Sequence, residues 1–317
     1  MSVFISIIMV TYGHEKYIRE AIEGILMQRG DFNFELIIAN DASPDATNQI
    51  VSEILKNHTN SDKICYIEQE KNIGMMPNFI FALQQAQGDY IALCDGDDYW
   101  TDPYKLQKQV DFLEANPDYV LSFHKVKILK PNGDLEEDFI TNVPENYEIQ
   151  ETLARLGNYI HTPSVVFRNV IKEFSPEFSL SPIGDYFLYM LMSERGKLKY
   201  IEEEMAVYRE GVGIWSAKTD YFRNLKTAYT LALIVKSLPN NQKVVEIFIS
   251  RIILFIDRFE SEIKSEDLIY INTCEEVELR LFDYFLNKNK QVKLQTIQNI
   301  STYQLLKVMI RRLKKRI

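Results

Sequence analysis

Two hydrophobic patterns alternate along the first hundred residues. Runs of consecutive apolar residues, typical of strands buried on both faces, occupy 3–10, 35–40 and 90–94. In the segment 14–28 the apolar residues recur instead at helical spacing, which predicts an amphipathic helix. Because strands that alternate with helices pair in parallel through right-handed crossovers, this part of the chain predicts an α/β fold around a parallel sheet.

The pattern changes twice farther along the chain. Between 119 and 215 strand-like runs are separated by turn-rich loops, with one helical segment near 185–195. After about residue 216 the apolar periodicity is helical, with little strand signal. It recurs in the segments 219–237, 241–263, 273–288 and 302–316. The sequence therefore predicts an α/β domain over 1–215 and a helical region over 216–317.

Charge narrows the classes of partner. The 317 residues carry a formal net charge of -9, and 46% of them are apolar, as in a globular protein. A nucleic-acid binder needs a basic face for phosphate contacts, so no nucleic-acid partner is expected. Positive charge gathers in "YQLLKVMIRRLKKRI" (303–317), a basic amphipathic segment. Such a segment could rest on an anionic membrane surface, although a solvated helix explains it equally well.

The cysteines and the first residues predict a cytoplasmic protein. Cys65, Cys94 and Cys274 are far apart and form no C-x-x-C pair, which favours reduced core cysteines over disulfides. The opening "MSVFISIIMV" lacks the basic start of a signal peptide, and no apolar run is long enough to span a bilayer. We therefore expect a cytoplasmic chain, with peripheral contact to the inner face of the membrane as a further option.

A cluster of aspartates follows the strand at 90–94. "ALCDGDDYW" places Asp95, Asp97 and Asp98 within four positions. In an extended segment residues two apart point to the same side, so Asp95 and Asp97 could converge while Asp98 turns away. Two carboxylates with open positions opposite suit Mg²⁺ or Mn²⁺ bound jointly with substrate phosphates. The alternative is a polar turn whose aspartates cap the helix that starts near 102.

Other strand ends carry polar side chains that belong to the same edge of a parallel sheet, where ligands of α/β proteins bind. The first strand ends at Thr11 and Tyr12, and the second leads into Asp41. Asp41 could accept hydrogen bonds from a base or a ribose, or it could form a local Asx turn. Tyr12 offers a ring for a base to stack on, or it could be partly buried. Asn72 and Gly74 predict a tight loop on that edge.

Three stretches together resemble the inverting nucleotide-sugar glycosyltransferases of family 2. They are "ISIIMVTYGHEKYIREAIEGILMQ", "ELIIANDASPDAT" and "KNIGMMPNFIFALQQAQGDYIALCDGDDYW", in the family's order and spacing. The resemblance covers about 3–215 and implies a GT-A fold with a mixed central sheet. It also implies a Rossmann-like nucleotide-binding half over 1–100, an acceptor half over 101–215, and a role in bacterial polysaccharide biosynthesis.

The resemblance assigns roles to individual residues. It implies a nucleotide-sugar site made of Thr11, Tyr12, Asp41, Asn72, Gly74, Asp95, Asp98 and Arg209. Asp97, together with Asp95, is implied to hold a Mn²⁺ or Mg²⁺ ion that bridges the diphosphate. The chain departs from the family pattern at Gly13, where the family often has Asn.

An inverting transfer also needs a general base. Asp185 in "SLSPIGDYFLYMLMSERG" aligns with the family's catalytic aspartate, and Gly184 replaces its usual Glu neighbour. The alternative is that Asp185 caps a helix. "VYREGVGIWS" resembles the flexible loop that closes over the diphosphate; Arg209 would bind the anion there and Trp215 would form part of a lid, unless the stretch is a surface turn. His161 falls where the family lines its acceptor pocket, although a structural histidine is equally consistent.

The implied activity is transfer of a sugar, most simply from a UDP-sugar, to a glycan or lipid-linked hydroxyl acceptor. Rival nucleotide-dependent enzymes are disfavoured, since neither G-x-G-x-x-G nor G-x-x-x-x-G-K-[ST] follows the first strand. A non-enzymatic alternative is a nucleotide-binding partner subunit that has lost catalysis. Such a subunit would be expected to lack either the metal aspartate or the base, and here both Asp97 and Asp185 are present. The oligomeric state stays open.

Overall fold

A computed structural model describes residues 3–213, 220–238 and 241–262 of the chain. The chain divides into two compact units, one within 1–174 and 184–216 and the other within 175–183 and 217–317. The helices and strands follow in chain order: β1 (Val3–Thr11), α1 (Ile18–Leu26), β2 (Phe32–Asn40), α2 (Thr47–Asn57), β3 (Ile64–Glu68), α3 (Met75–Gln85), β4 (Tyr90–Leu93), β5 (Tyr99–Trp100), α4 (Lys105–Ala115), β6 (Tyr119–Leu129), β7 (Leu135–Glu137), α5 (Gln150–Leu156), β8 (Val166–Arg168), α6 (Pro176–Ser179), α7 (Gly184–Ser193), β9 (Lys197–Arg209), α8 (Asp220–Ser237) and α9 (Gln242–Glu262).

All described strands of the first unit form one sheet in the order β3-β2-β1-β4-β8-β6-β9-β5, with β7 paired to β6. The strands β1, β2, β3 and β4 pair in parallel, as the alternating pattern predicts. Antiparallel pairs join β8 to β4 and to β6, and β5 to β9, whereas β6 and β9 are parallel. The sheet is therefore mixed, and the predicted α/β class with a mixed central sheet is confirmed.

Both faces of β1 are buried, since Ser6 and Ile8 on one face are as inaccessible as the odd-numbered residues of 5–9 on the other, and this explains its largely apolar run. Ile5, Ile7 and Met9 are fully buried in one hydrophobic cluster, together with the inner faces of α1, α2 and α4. The helix α1 begins at Ile18, four residues later than the helical spacing indicates. The reason is local: the backbone N–H groups of Tyr17 and Ile18 both donate to the carbonyl of His14, which closes a turn before the helix.

The cysteines only partly match their expected position. Cys94 is buried, whereas Cys65 is exposed. Cys65 lies on β3, an edge strand of the sheet with a neighbour on one side only. The expectation of core cysteines is therefore right for Cys94 and wrong for Cys65, and Cys274 lies outside the described residues.

The second unit is helical where it is described. Its helices α8 and α9 coincide with the predicted segments 219–237 and 241–263, and their inward faces are apolar, with Leu231 and Phe248 fully buried. The predicted segments 273–288 and 302–316 lie outside the described residues. No described helix combines the length and the apolar character that crossing a membrane requires.

We expect Gly24→Ala to destabilise the first unit by about 1–3 kcal/mol, because α1 crosses β5 at this residue. A Cβ atom at position 24 would lie 2.7 Å from the carbonyl oxygen of Trp100 and 3.0 Å from its nitrogen, and backbone atoms cannot move aside as a flexible side chain can. This clash should exceed the gain of about 1 kcal/mol that alanine brings inside a helix. Denaturant unfolding measures the difference, with Glu23→Ala on the exposed face of α1 as the matched control. Equal midpoints for the two variants would contradict the tight crossing.

Candidate active site

The parallel strands bring their carboxyl ends to one edge of the sheet. The backbone N–H of Asp41, just after β2, donates to the carbonyl of Thr11 at the end of β1 (3.0 Å). The N–H of Gly96, just after β4, donates to the carbonyl of Val10 (3.0 Å). These two bonds place the strand-end residues of β1, β2 and β4 side by side, as the sequence predicts.

Asp41 organises the loop before α3. It is buried, and its two carboxylate oxygens accept hydrogen bonds from the backbone N–H groups of Ile73 (2.7 Å) and Gly74 (2.9 Å). Gly74 adopts a φ of 92°, a left-handed conformation that favours glycine, and its N–H also reaches the side chain of Asn72 (3.1 Å). Asp41 therefore holds a loop 32 residues away in sequence, which is not the local Asx turn of the alternative reading. Contact of these three residues with a nucleotide stays a prediction.

Thr11 and Tyr12 face opposite ways at the end of β1. Tyr12 is 45% exposed, so part of its side chain is open to solvent, and stacking of this ring on a base stays a prediction. The hydroxyl of Thr11 is buried and hydrogen-bonded to Nδ1 of His14 (3.2 Å). Gly96 lies against both groups, since a Cβ there would stand 2.8 Å from each.

His14 is a site residue that the sequence analysis does not identify. It lies near the aspartate cluster: burial lowers its pKa, while the negative charges of Asp97 and Asp45 act to raise it. The only sequence signal is a hydroxyl and an imidazole three positions apart at a strand end.

The aspartates 95–98 form a turn, whereas the sequence analysis assumes an extended segment. The N–H of Asp98 donates to the carbonyl of Asp95 (3.2 Å), which closes the turn. Asp98 is buried, and its Oδ1 accepts a hydrogen bond from the backbone N–H of Arg209 (2.8 Å). None of the three carboxylates caps α4, whose N-cap residue is Tyr104; the Oδ1 of Asp102 accepts a hydrogen bond from the N–H of Tyr104 (2.7 Å).

The charges of this turn oppose one another. Burial raises the pKa of Asp95 well above its usual value, and the nearby charges of Asp97 and Asp185 raise it further. Burial and the charge of Asp97 likewise raise the pKa of Asp98, against the hydrogen bond from Arg209. Asp95 and Asp97 are both half-buried. A cation placed between two such carboxylates would relieve the repulsion.

The described residues supply only part of a metal coordination shell at this edge. No group of three or more His, Cys, Asp or Glu side chains in the described ranges is arranged to hold a metal ion. Two carboxylates fit the way Mg²⁺ is usually bound, by one or two protein ligands plus water and substrate phosphates. Asp97 and Asp95 therefore fit an ion that arrives with a diphosphate, and they do not form a closed structural metal site.

Arg209 ties the aspartate turn to the end of β9 and to α1. It is 7% exposed, and its Nη1 donates to the carbonyl of Asp97 (3.2 Å) while Nη2 pairs with Glu20. Its guanidinium lies over the rings of Tyr17 and Tyr99, at 4.9 and 4.7 Å from their centroids. The structure thus places Arg209 at a strand end with its donors engaged, and diphosphate binding by this side chain stays a prediction.

The segment that follows β9 passes close to Asp97. A Cβ at Gly213 would lie 3.8 Å from Oδ2 of Asp97. This approach agrees with a loop that covers the same edge of the sheet. Trp215, the predicted lid residue, lies outside the described residues.

Asp185 lies in the first turn of α7, close to the other carboxylates. Nδ2 of Asn158 donates to its Oδ2 (2.8 Å). Burial raises the pKa of Asp185, while hydrogen bonds from the backbone of Tyr186 and from Asn158, and the charge of His161, act to lower it. Because the charge of Asp185 raises the pKa of Asp95, the two carboxyl groups lie within electrostatic reach of each other.

The glycine before Asp185 has a steric explanation. A Cβ at Gly184 would lie 2.4 Å from Sδ of Met76, on α3, and 3.4 Å from the ring of Phe79. A larger residue at position 184 would therefore require the flexible side chain of Met76 to move. The glycine thus fits the close packing of α3 against the start of α7.

His161 lies beside Tyr208, with ring centroids 4.9 Å apart. Its Nε2 donates to Oδ2 of Asp138 (3.0 Å), just after β7. Asp138 and Asn158 cannot be predicted from the sequence, because each is a single polar residue whose partner lies more than 20 positions away.

Comparison with known proteins agrees with this geometry. The family described as Glycosyl transferase family 2 matches residues 6–174, which is more than half of the chain. The chain belongs to glycosyl transferase family 2. The family 2 assignment confirms the resemblance seen in the strand-end motifs.

Two relatives show how far the similarity extends. An uncharacterized protein of Mycobacterium tuberculosis is 39% identical over 218 residues, which are 68% of this chain and 62% of that protein. An uncharacterized glycosyltransferase of Methanocaldococcus jannaschii is 32% identical over 212 residues, covering 65% of this chain and 70% of the relative. The match therefore spans less than two thirds of the mycobacterial protein's length.

Solved structures share the fold. The crystal structure of Staphylococcus aureus TarS 1–349 in complex with UDP has a TM-score of 0.59 at 20% identity, over 86% of this chain and 78% of that one. The mannosyltransferase PcManGT of Pyrobaculum calidifontis, in complex with GDP-Man and Mn²⁺, has a TM-score of 0.56 at 14% identity, over 100% and 87% of the two chains. This family 2 chain therefore has the GT-A fold.

Proposed function

We propose that this protein is an inverting glycosyltransferase that moves a sugar from a nucleoside diphosphate sugar to a hydroxyl acceptor. The observation that carries the proposal is the meeting of two kinds of carboxylate at one sheet edge. Asp95 and Asp97 follow a parallel strand, and Asp185 lies within electrostatic reach of Asp95 at the start of α7. Asp95 and Asp97 suit a cation bound together with a diphosphate, and Asp185 suits a general base.

The donor half of the proposal rests on the strand ends. Thr11, Tyr12, Asp41, Asn72 and Gly74 would surround the nucleoside in the half made by residues 1–100. Asp98 and Arg209 would support the diphosphate side. The structural neighbours are solved with UDP, UDP-GlcNAc and GDP-Man, so a UDP-sugar is the first donor to test and a GDP-sugar the second.

Asp97 and Asp95 would hold a Mn²⁺ or Mg²⁺ ion, and PcManGT is solved with Mn²⁺. When bound, the ion would compensate the charge of the nucleoside diphosphate as it leaves. The chain's own contribution is to keep two carboxylates on one turn, which Arg209 holds through hydrogen bonds to Asp98 and to the carbonyl of Asp97.

Asp185 would act as the general base. It would take the proton of the acceptor hydroxyl while the hydroxyl oxygen attacks the anomeric carbon from the face opposite the diphosphate. The attack forms the new glycosidic bond as the bond to the diphosphate breaks, so the anomeric centre is inverted. Asn158 would hold the carboxylate in place through its hydrogen bond to Oδ2.

The acceptor would bind on the half made by residues 101–215, where His161 lies and where Trp215 is placed by the sequence. A glycan or a lipid-linked sugar of bacterial polysaccharide biosynthesis is the class we propose. A cytoplasmic location, with the helical region 216–317 contacting the inner face of the membrane through its basic segment, would suit a lipid-linked acceptor.

A panel of nucleotide sugars tests the proposal directly. We expect one donor to raise the melting temperature only when Mn²⁺ or Mg²⁺ is present, because ligand binding stabilises the folded state. The same donor should release its nucleoside diphosphate when a hydroxyl acceptor is added. Cation-dependent binding without turnover would favour the non-catalytic partner subunit instead. Absence of binding across UDP-, GDP- and TDP-sugars would contradict a donor site at this edge.

A further inference from the structure

Asp138 is an ionised carboxylate inside the acceptor half. Its side chain is only 12% exposed and accepts hydrogen bonds from the N–H groups of Ile140 (2.9 Å) and Thr141 (3.0 Å) and from the hydroxyl of Thr141. Burial alone would raise the pKa of Asp138. Hydrogen bonding and charge from His161, with the bonds from Thr141, overcome burial and hold that pKa at about 2.

The ring of His161 is fixed between Asp138 and Tyr208. Its side chain is 8% exposed, with Nε2 directed at Oδ2 of Asp138 (3.0 Å) and the ring packed on Tyr208. The backbone is held as well, since the carbonyl of His161 accepts from the N–H (3.0 Å) and the hydroxyl (2.6 Å) of Ser164. Asp138 therefore pairs with a ring that cannot readily turn away.

His161 in turn acts on Asp185. Its positive charge lowers the pKa of that carboxyl, against the burial that raises it. The same short segment supplies Asn158, whose Nδ2 bonds Oδ2 of Asp185 (2.8 Å) while its Oδ1 accepts from the N–H of Ile160 (3.1 Å). The segment 158–164 thus presents both a hydrogen-bond donor and a charge to one carboxylate.

The other titratable groups around these residues do not supply the positive charge that His161 brings to Asp185. Asp95, Tyr189 and Tyr208 each feel the charge of Asp185, and in each of them burial is the main cause that raises the pKa. The imidazole of His124, on β6, feels the charge of His161, but burial lowers its pKa well below the usual value, so it stays neutral. Among these groups, His161 is the one whose positive charge opposes protonation of Asp185.

We propose that Asp138 is a positioning residue that acts on Asp185 through His161. Asp138 fixes the ring of His161 and balances its charge, and the charged ring keeps Asp185 ionised where an acceptor hydroxyl must approach. This inference rests on the proposed function of Asp185 as the base. The role assigned to Asp138 is indirect, since Asp138 contacts His161 and acts on Asp185 only through that ring.

We expect Asp138→Asn, in the full chain, to change the pH dependence of transfer. The asparagine keeps an oxygen for the two backbone donors but removes the charge that balances His161. Without that negative charge the charged form of His161 is less favourable, and with less positive charge near Asp185 the pKa of Asp185 should rise, so the base would be lost first on the acid side. Transfer should therefore fall several-fold more at about pH 6 than at about pH 8. His161→Gln should give the same change, and the double variant should add nothing, since both residues act along one path.

The matched control is Asp134→Asn, an exposed aspartate in the turn between β6 and β7, which should leave the pH profile unchanged. A loss of transfer by the same factor at every pH in both single variants would overturn the proposal. A carboxyl-carbon NMR titration of Asp185 in the nucleotide-free chain gives an independent reading, with its midpoint expected at higher pH in Asp138→Asn. An unchanged midpoint would overturn the coupling even if transfer were normal. Absence of transfer in the wild type would instead contradict the proposed function, while the titration would still decide the coupling.

Discussion

Replacing Asp97 with alanine is expected to abolish cation-dependent donor binding. The variant leaves Asp95 as the one half-exposed carboxylate of the turn, so the charge of a bound diphosphate would lack its compensating cation. Loss of even an outer-shell partner weakens metal sites by about 10- to 100-fold, and loss of a direct ligand should cost more than about 100-fold. Calorimetric titration of UDP with and without Mn²⁺ measures this, and the gain in UDP affinity from Mn²⁺ should vanish in the variant.

The stability of the same variant separates this role from a structural one. The charge of Asp97 raises the pKa of both Asp95 and Asp98, so it works against its neighbours in the folded protein. Removing it should therefore leave the melting temperature unchanged or raise it, while donor binding is lost. Asp111→Ala, on the exposed face of α4, serves as the matched control and should change neither property. If Mn²⁺ still strengthened UDP binding in Asp97→Ala, the cation site would have to lie elsewhere.

The sequence predicts the parts of this site that depend on periodicity. The runs at 3–10, 35–40 and 90–94 are typical of strands buried on both faces of a parallel sheet, and parallel strands place their carboxyl ends on one edge. The sequence therefore predicts that Thr11, Asp41 and the aspartates 95–98 lie close together. Order along the chain and burial pattern were sufficient for that inference.

The shape of the aspartate turn depends on contacts that no local pattern contains. The N–H that holds Asp98 comes from Arg209, 111 positions away, and the glutamate that pairs with Arg209 comes from α1. Extended geometry is a reasonable assumption for the residues alone, but the N–H of Asp98 donates to the carbonyl of Asp95 and closes a turn instead. Asp138 and Asn158 are not predicted for the same reason, since each bonds a partner more than 20 positions away.

Replacing Asp185 with asparagine is expected to reduce transfer by roughly 100- to 10,000-fold while UDP binding stays near that of the wild type. The amide keeps an oxygen that can accept the hydrogen bond from Asn158, so the position of the side chain should be preserved. What is lost is the basic carboxylate that takes the proton of the acceptor hydroxyl. Initial rates of glycoside formation and calorimetric UDP binding, measured on the same preparation, give the two readouts.

Comparison of Asp185→Asn with Asp97→Ala separates a role in proton transfer from a role in donor binding. Both substitutions remove a charge that raises the pKa of Asp95, so both should leave the fold intact or more stable. They should differ in what they remove, with Asp97→Ala losing cation-dependent UDP binding and Asp185→Asn losing transfer alone. Near-normal transfer in Asp185→Asn would assign the base to another residue. A joint loss of UDP binding and transfer would show instead that Asp185 supports the donor site, and the inverting mechanism would then need a different proton acceptor.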